Sequence, residues 1–283
     1  MLAWLGCFFL TLPLTACQAL FFFPEEGPLR MTPDRIDLTY EDVFFESDDR
    51  TLLHGWFLPA MTSPTKDMVL FFHGNAENVS THIGNVHWLP KEGHSVMIFD
   101  YRGYGRSSGA PDLAGVHQDG AAALRQALAL APPEGSLWVF GQSLGGSIAA
   151  YTVAHAPPDI KKRIHAVVLE GTFSSYRVIA QEKMADLWFA WSFQWLPNLT
   201  LSDHYAAKTS VPLITDIPLL LVHGCADTTI PCEHSKRLLT LAGSLGELWL
   251  PENVEHTQAF RTPEKQKQLL KWLENTTPSG QKK

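Results

Sequence analysis

An α/β fold, with one mostly parallel sheet, helices on both faces and a helical insertion, is what three observations predict. Short apolar runs rich in β-branched and aromatic residues recur along the sequence, and longer helix-like segments separate most of them. The first two runs alternate in polarity, whereas the later ones are nearly continuous apolar sequence, as strands buried on both faces are. With 283 residues, 45% of them hydrophobic, the chain can build one sizeable domain but not two.

The elements follow in chain order. Glu41 to Ser47 and Thr51 to Phe57 alternate and are separated by Asp48-Asp49-Arg50, which predicts an antiparallel hairpin and a sheet that is mixed at one edge. Buried strands are then expected at Met68 to Phe72, Ser95 to Phe99, Leu137 to Phe140, Ala166 to Leu169, Leu219 to Val222 and Glu247 to Leu250. Leu113 to Ala131 is rich in Ala and Leu and stops at Pro132-Pro133, while Gly145 to His155 stops before Pro157, so both read as helices ended by proline. Pro263 to Glu274 is a third helix. The stretch from Phe173 to Thr215 has no strand signal and is too long for a plain connection, so it reads as an inserted cap. Its Trp188, Phe189, Trp191, Phe193 and Trp195 need burial or a membrane surface, and the expectation is that Met184 to Leu196 covers the site and supplies an acyl-facing wall.

The amino terminus differs from the rest. No side chain is charged from Met1 to Pro24, and Leu2 to Leu12 is nearly continuous apolar sequence, as in a secretory signal. Leu14-Thr15-Ala16-Cys17 resembles the lipobox of bacterial lipoproteins, which implies cleavage before Cys17 and lipidation of that residue. No Lys or Arg precedes the apolar run, and the rival reading is an uncleaved anchor, since Leu2 to Phe23 is long enough to cross a bilayer. The organisation is therefore read as a signal peptide at 1–16, a tether and lead-in at 17–38, the α/β domain at 39–275 with its cap at about 173–215, and a polar tail at 276–283. This describes an exported, membrane-anchored protein on the periplasmic or cell-surface side. A formal net charge of -7 gives no basic surface suited to a polyanion, so nucleic acid is a poor candidate partner and none is expected.

Gly141-Gln142-Ser143-Leu144-Gly145 is a G-x-S-x-G match, a pattern that arises by chance about once in ten chains of this length. Context strengthens it. The match follows an apolar strand and opens a helix, the setting in which a sharp turn lifts a serine hydroxyl clear of a sheet. A serine needs a base to take its proton, and His256, on a loop between the last apolar run and the carboxy-terminal helix, is the candidate. The base needs a carboxylate to fix its tautomer. Asp227, after the strand Leu219 to Val222, is the first choice, and Glu170, after Ala166 to Leu169, the second. Donors for a developing oxyanion are expected at the backbone amides of Leu144 and Asn75, with Ala76 the alternative to Asn75. Cys225 and Cys232 flank Asp227 and are expected to form a disulfide that holds the acid loop, given export through an oxidising compartment. No H-E-x-x-H and no zinc-type Cys spacing occurs, so neither a metal nor a cofactor is expected.

Phe72-His73-Gly74-Asn75-Ala76, Asp100-Tyr101-Arg102-Gly103-Tyr104-Gly105, Gly141 to Gly145, His223-Gly224 with Asp227, and His256 together resemble the α/β-hydrolase superfamily. The branch they are similar to includes membrane-associated lysophospholipases and protein depalmitoylases. The resemblance runs from about Phe22 to Trp272 and implies that Asp100 to Gly105 is a structural turn. It also implies a serine hydrolase acting on acyl esters or thioesters through Ser143, His256 and Asp227. The aromatic insertion departs most from that pattern. Two other readings compete: a serine peptidase, because the same triad cleaves amides, and a non-catalytic lipoprotein scaffold.

Overall fold

The structure is a computed structural model that describes residues 21–276 apart from 64, 66, 133 and 134. The proposed signal, Cys17 and residues 277–283 of the tail lie outside the described residues.

Eight strands form one sheet: β1 (Glu41–Glu46), β2 (Leu52–Leu58), β3 (Asp67–Phe72), β4 (Ser95–Phe99), β5 (Ser136–Gln142), β6 (Ile164–Glu170), β7 (Leu219–Val222) and β8 (Gly246–Trp249). Their spatial order is β8-β7-β6-β5-β3-β4-β2-β1. β1 and β2 pair antiparallel, β2 runs antiparallel to β4, and every other neighbour is parallel. The polarity of the runs accounts for this arrangement. The outer residues of β1 alternate between exposed and buried, as an edge hairpin requires, whereas β3, β4 and β5 are buried on both faces.

Five helices of eight or more residues are described: α1 (Leu113–Leu130), α2 (Leu144–Ala154), α3 (Tyr176–Ala185), α4 (Glu233–Leu241) and α5 (Pro263–Thr276). α1 starts where the Asp112 carboxylate accepts from the Gly115 amide at 2.9 Å, satisfying one of the donors that a helix start leaves open. Two cores flank the sheet. One packs Leu70, Val139 and Leu169 against Val116 of α1 and Ile148 of α2. The other packs Val69, Phe71, Trp138 and Phe140 against Leu269 and Trp272 of α5.

Between β6 and β7 the described chain is helical or irregular, as the sequence predicts: α3 is followed by the short turns Trp191–Phe193, Leu196–Thr200, Ala207–Ser210 and Val211–Leu213. The lead-in behaves differently from a simple tether. From residue 21 it is docked on the domain, with Phe22 buried, Phe23–Pro24 paired in parallel with Ala76–Glu77, and Glu26 bridged to Gly105. Phe22 joins the core and Phe21 packs against it, while the Phe23 side chain stays exposed.

Candidate active site

β5 ends at Gln142, and Ser143 takes φ 55° and ψ −120° before α2 begins at Leu144. A non-glycine residue rarely adopts such a conformation, and it is sustained here by close packing around the turn. A Cβ on Gly145 would collide with the carbonyl oxygens of Phe72 and His73, and one on Gly141 would lie 2.7 Å from the Gly145 carbonyl oxygen. The two glycines therefore let β5, the turn and the end of β3 approach one another. The Ser143 amide donates to the Glu170 carbonyl at 2.9 Å, tying the turn to the end of β6. The Ser143 hydroxyl makes no hydrogen bond to another described residue.

The loop after β3 reaches the same place. A Cβ on Gly74 would stand 3.7 Å from the Ser143 Cβ. The Asn75 carbonyl is fixed by two donors, the Phe23 amide at 2.9 Å and the Tyr104 hydroxyl at 2.8 Å. Those contacts orient the peptide that follows it, while the Tyr101 hydroxyl holds the His73 carbonyl at 3.1 Å. His73 is sealed, and burial, with His82 beside it, pushes its pKa well below the usual histidine value. It is a neutral brace: Nδ1 donates to the Gly74 carbonyl at 2.7 Å. At Leu144, the first position of α2, the amide hydrogen has no acceptor within the helix and lies at the positive end of its dipole.

Asp227 and His256 come from separate loops, after β7 and β8, and meet. His256 Nδ1 donates to Asp227 Oδ2 at 2.6 Å, and the imidazole is partly exposed. Asp227 Oδ1 accepts from the amides of Thr229 at 2.7 Å and Ile230 at 2.8 Å. Burial alone would raise the Asp227 pKa. The hydrogen bonds from His223, His256 and Ile230 outweigh burial and hold the carboxyl well below the usual carboxylate range. His223 braces the loop, with Nε2 donating to the Ile230 carbonyl at 2.8 Å and Nδ1 accepting from the Ser235 hydroxyl at 2.7 Å. Gly171 closes the ring of elements: it follows Glu170, which holds the Ser143 amide, and a Cβ on it would lie 3.3 Å from His256 Cε1 and Nδ1.

Glu170 is not the carboxylate that touches His256. Its Oε2 accepts from Gln142 Nε2 at 2.7 Å and its Oε1 from the Ala259 amide at 2.7 Å. Burial raises its pKa, against the pull of those two bonds. Glu170 therefore clasps the residue before Ser143 to the loop that carries His256. Sequence reasoning weighed it as an acid and missed this clasp, because only the fold brings Gln142 and Ala259 to its two oxygens.

Cys225 and Cys232 are brought together as two thiols, with their sulfurs 2.8 Å apart. Seven positions of sequence separation suggested the approach, but spacing cannot report bonding. Trp188, Phe189, Trp191, Phe193 and Trp195 are all at least half exposed, and no described contact sets them against Ser143. Aromatic density in a sequence does not give the direction in which rings point. Among the described residues no cluster of three or more metal-ligating side chains occurs, and no helix is long and apolar enough to cross a membrane.

The sequence model of the family described as serine aminopeptidase S33 matches residues 63–212, which span β3, the Ser143 turn and the helical insertion. The chain belongs to this α/β-hydrolase family. It is similar to the uncharacterised YfhR protein of Escherichia coli (strain K12), at 34% identity over 246 residues, covering 85% of this chain and 80% of that protein. It is also similar to the α/β-hydrolase domain-containing protein WAV2 of Arabidopsis thaliana, at 31% identity over 221 residues, covering 76% of this chain and 70% of that one. Among solved structures, the esterase of Pyrococcus furiosus superposes with a TM-score of 0.71 at 20% identity, covering 91% of this chain and 98% of that one. The family and the fold make the protein a hydrolase.

Proposed function

We propose that the protein cleaves carboxylic ester or thioester bonds, with Ser143 as nucleophile, His256 as general base and Asp227 as the carboxylate that orients it. The observation that carries this reading is the 2.6 Å bond from His256 Nδ1 to Asp227 Oδ2, beside a Ser143 held in a strained strand-to-helix turn. With the Nδ1 hydrogen of His256 donated to the Asp227 carboxylate, Nε2 is left free to accept the Ser143 proton as Oγ attacks the acyl carbon. The tetrahedral oxyanion is received by the amides of Leu144 and Asn75, each worth about 3 to 4 kcal/mol of barrier in comparable sites. The imidazolium returns its proton to the leaving alcohol or thiol. Water, deprotonated by His256, then attacks the acyl-enzyme and releases the acid and free Ser143. No step calls on a metal or cofactor.

The exported lipoprotein anchored through Cys17 belongs to the same proposal, supported by the uncharged amino-terminal segment and its lipobox-like end. A second reading, amide cleavage at a peptide amino terminus, is favoured by the description of the matching family model. One experiment separates them. A fluorophosphonate probe should label the wild type and not Ser143→Ala, and a panel of acyl esters, acyl thioesters and aminoacyl anilides should be turned over in that order of preference. Anilides hydrolysed faster than every ester would move the assignment to the peptidase. Equal labelling of both proteins would remove Ser143 from the nucleophile's role.

A further inference from the structure

The insertion between β6 and β7 presents an apolar surface that the folded domain leaves uncovered. Trp188 is 90% exposed, and Phe189, Trp191, Phe193, Trp195 and Leu199 range from 52% to 73%. Soluble surfaces scatter such residues singly, and so dense a group marks a place that is covered when the protein works. The surrounding sequence narrows what covers it. From Leu187 to Ser202 no side chain is charged, with Asp186 and Asp203 standing at the two ends. A stretch that combines tryptophans with Phe and Leu and excludes charge suits the boundary between lipid headgroups and acyl chains, where an indole buries its ring and keeps its N–H wet.

The way the chain enters the fold points to the same occupant. The first described residue, Phe21, packs edge-on against Tyr176, with ring centroids 5.1 Å apart, and also approaches Phe173 at 6.3 Å. Tyr176 is the first residue of α3, and the aromatic stretch begins just after that helix ends at Ala185. Ten helical residues span about 15 Å. The two uncharged apolar parts of the sequence, residues 1–20 and Leu187 to Ser202, therefore join the domain at opposite ends of one short helix. A chain held at a bilayer through its amino terminus brings the aromatic stretch within reach of the same bilayer.

We propose that Leu187 to Ser202 is a lipid-docking surface, whose Trp188, Trp191 and Trp195 insert at the interface of the membrane that holds the amino terminus. Apolar burial drives the docking and no salt bridge takes part, because the stretch offers no charge to a headgroup. The proposal concerns where the rings lie and does not depend on which bond the enzyme cleaves.

The test uses the full chain reconstituted into phosphatidylcholine vesicles, made either with ordinary acyl chains or with chains brominated close to the headgroup. Bromine quenches indole emission on contact. Of the nine tryptophans in the sequence, Trp4 lies in the proposed signal and is removed with it, and three of the eight that remain are Trp188, Trp191 and Trp195. The wild type should lose emission in brominated vesicles by as much as about three eighths through these three. The Trp188→Phe, Trp191→Phe, Trp195→Phe variant, which keeps the surface apolar, should lose most of that response. The difference should be the same from about 0.1 to about 1 M sodium chloride, a range over which charge-driven docking would be screened away. Equal bromine quenching in the two proteins would overturn the proposal. So would rings shielded from aqueous acrylamide but silent to bromine, which would put protein on this surface, whether a second copy or another segment of the chain.

Discussion

Exchanging Asp227 for Asn tests the proposed triad more sharply than deleting it, because the structure dictates which way the amide must face. Asp227 Oδ1 accepts from two backbone amides, Thr229 at 2.7 Å and Ile230 at 2.8 Å. In Asp227→Asn the side-chain oxygen has to remain there, since turning the NH2 toward two N–H groups would leave three donors facing one another at a cost of about 1 to 3 kcal/mol for each one stranded. The NH2 then takes the place of Oδ2 and points at His256 Nδ1. That nitrogen must become an acceptor, so the imidazole proton moves to Nε2, the atom needed to receive the Ser143 proton. The shape is kept and the tautomer is wrong, which in triads of this kind costs about 10⁴ in kcat, or about 5.5 kcal/mol of barrier. The assay is steady-state hydrolysis of a chromogenic ester, with thermal unfolding followed alongside to show that the fold survives. Glu170→Gln is the control. One of its two oxygens becomes a donor facing either Gln142 Nε2 or the Ala259 amide, so it should lose stability by about 1 to 3 kcal/mol while kcat falls far less than in Asp227→Asn. An Asp227→Asn enzyme that keeps more than a tenth of wild-type kcat, or a Glu170→Gln enzyme that loses more than it, would refute this account of the two carboxylates.

Other outcomes follow from groups around the site. His117 on α1 is sealed, donates from Nδ1 to the Leu113 carbonyl at 2.6 Å and stacks on Tyr205 with centroids 4.4 Å apart. Burial lowers its pKa from 6.5 to about 4, so between those values the unfolded chain binds a proton that the folded one refuses, and stability falls as pH drops through that window by up to about 3 kcal/mol. Urea midpoints measured from pH 7 to pH 4 should show this slope, and His117→Gln should flatten it. An unchanged slope would assign the acid sensitivity elsewhere. The Cys225 and Cys232 sulfurs are 2.8 Å apart, so mild oxidation by a soluble disulfide reagent should remove both thiols from titration with Ellman's reagent and join them. Closing so short a loop adds about 2 kcal/mol on a chain-entropy estimate, a rise of about 5 °C in Tm that either Cys→Ala variant should lack. Thiols that stay titratable after oxidation would exclude the bridge.

Much of this molecule was determined by local sequence. The alternation in Glu41 to Phe57 and the continuous apolar runs after it gave an antiparallel edge and a parallel centre, because strand polarity reflects how many faces are buried. Proline after Ala131 and at Pro157 ended α1 and α2, since proline cannot donate to a helix. The turn at Ser143 was legible because a serine with glycines two positions away on either side, at a strand-to-helix junction, leaves few alternatives. What tertiary structure decided is which distant groups meet. His256 could have faced either of two carboxylates, and only the packing of the loops after β7 and β8 set it on Asp227 and left Glu170 to clasp Gln142 to Ala259. The lead-in could have hung free, and only the fold supplied the core that buries Phe22 and the Asn75 carbonyl that accepts from the Phe23 amide. The aromatic rings of the insertion were plain in the sequence, but their outward direction was not, because helical and irregular backbone alike can turn a ring in or out until the core beneath it is full.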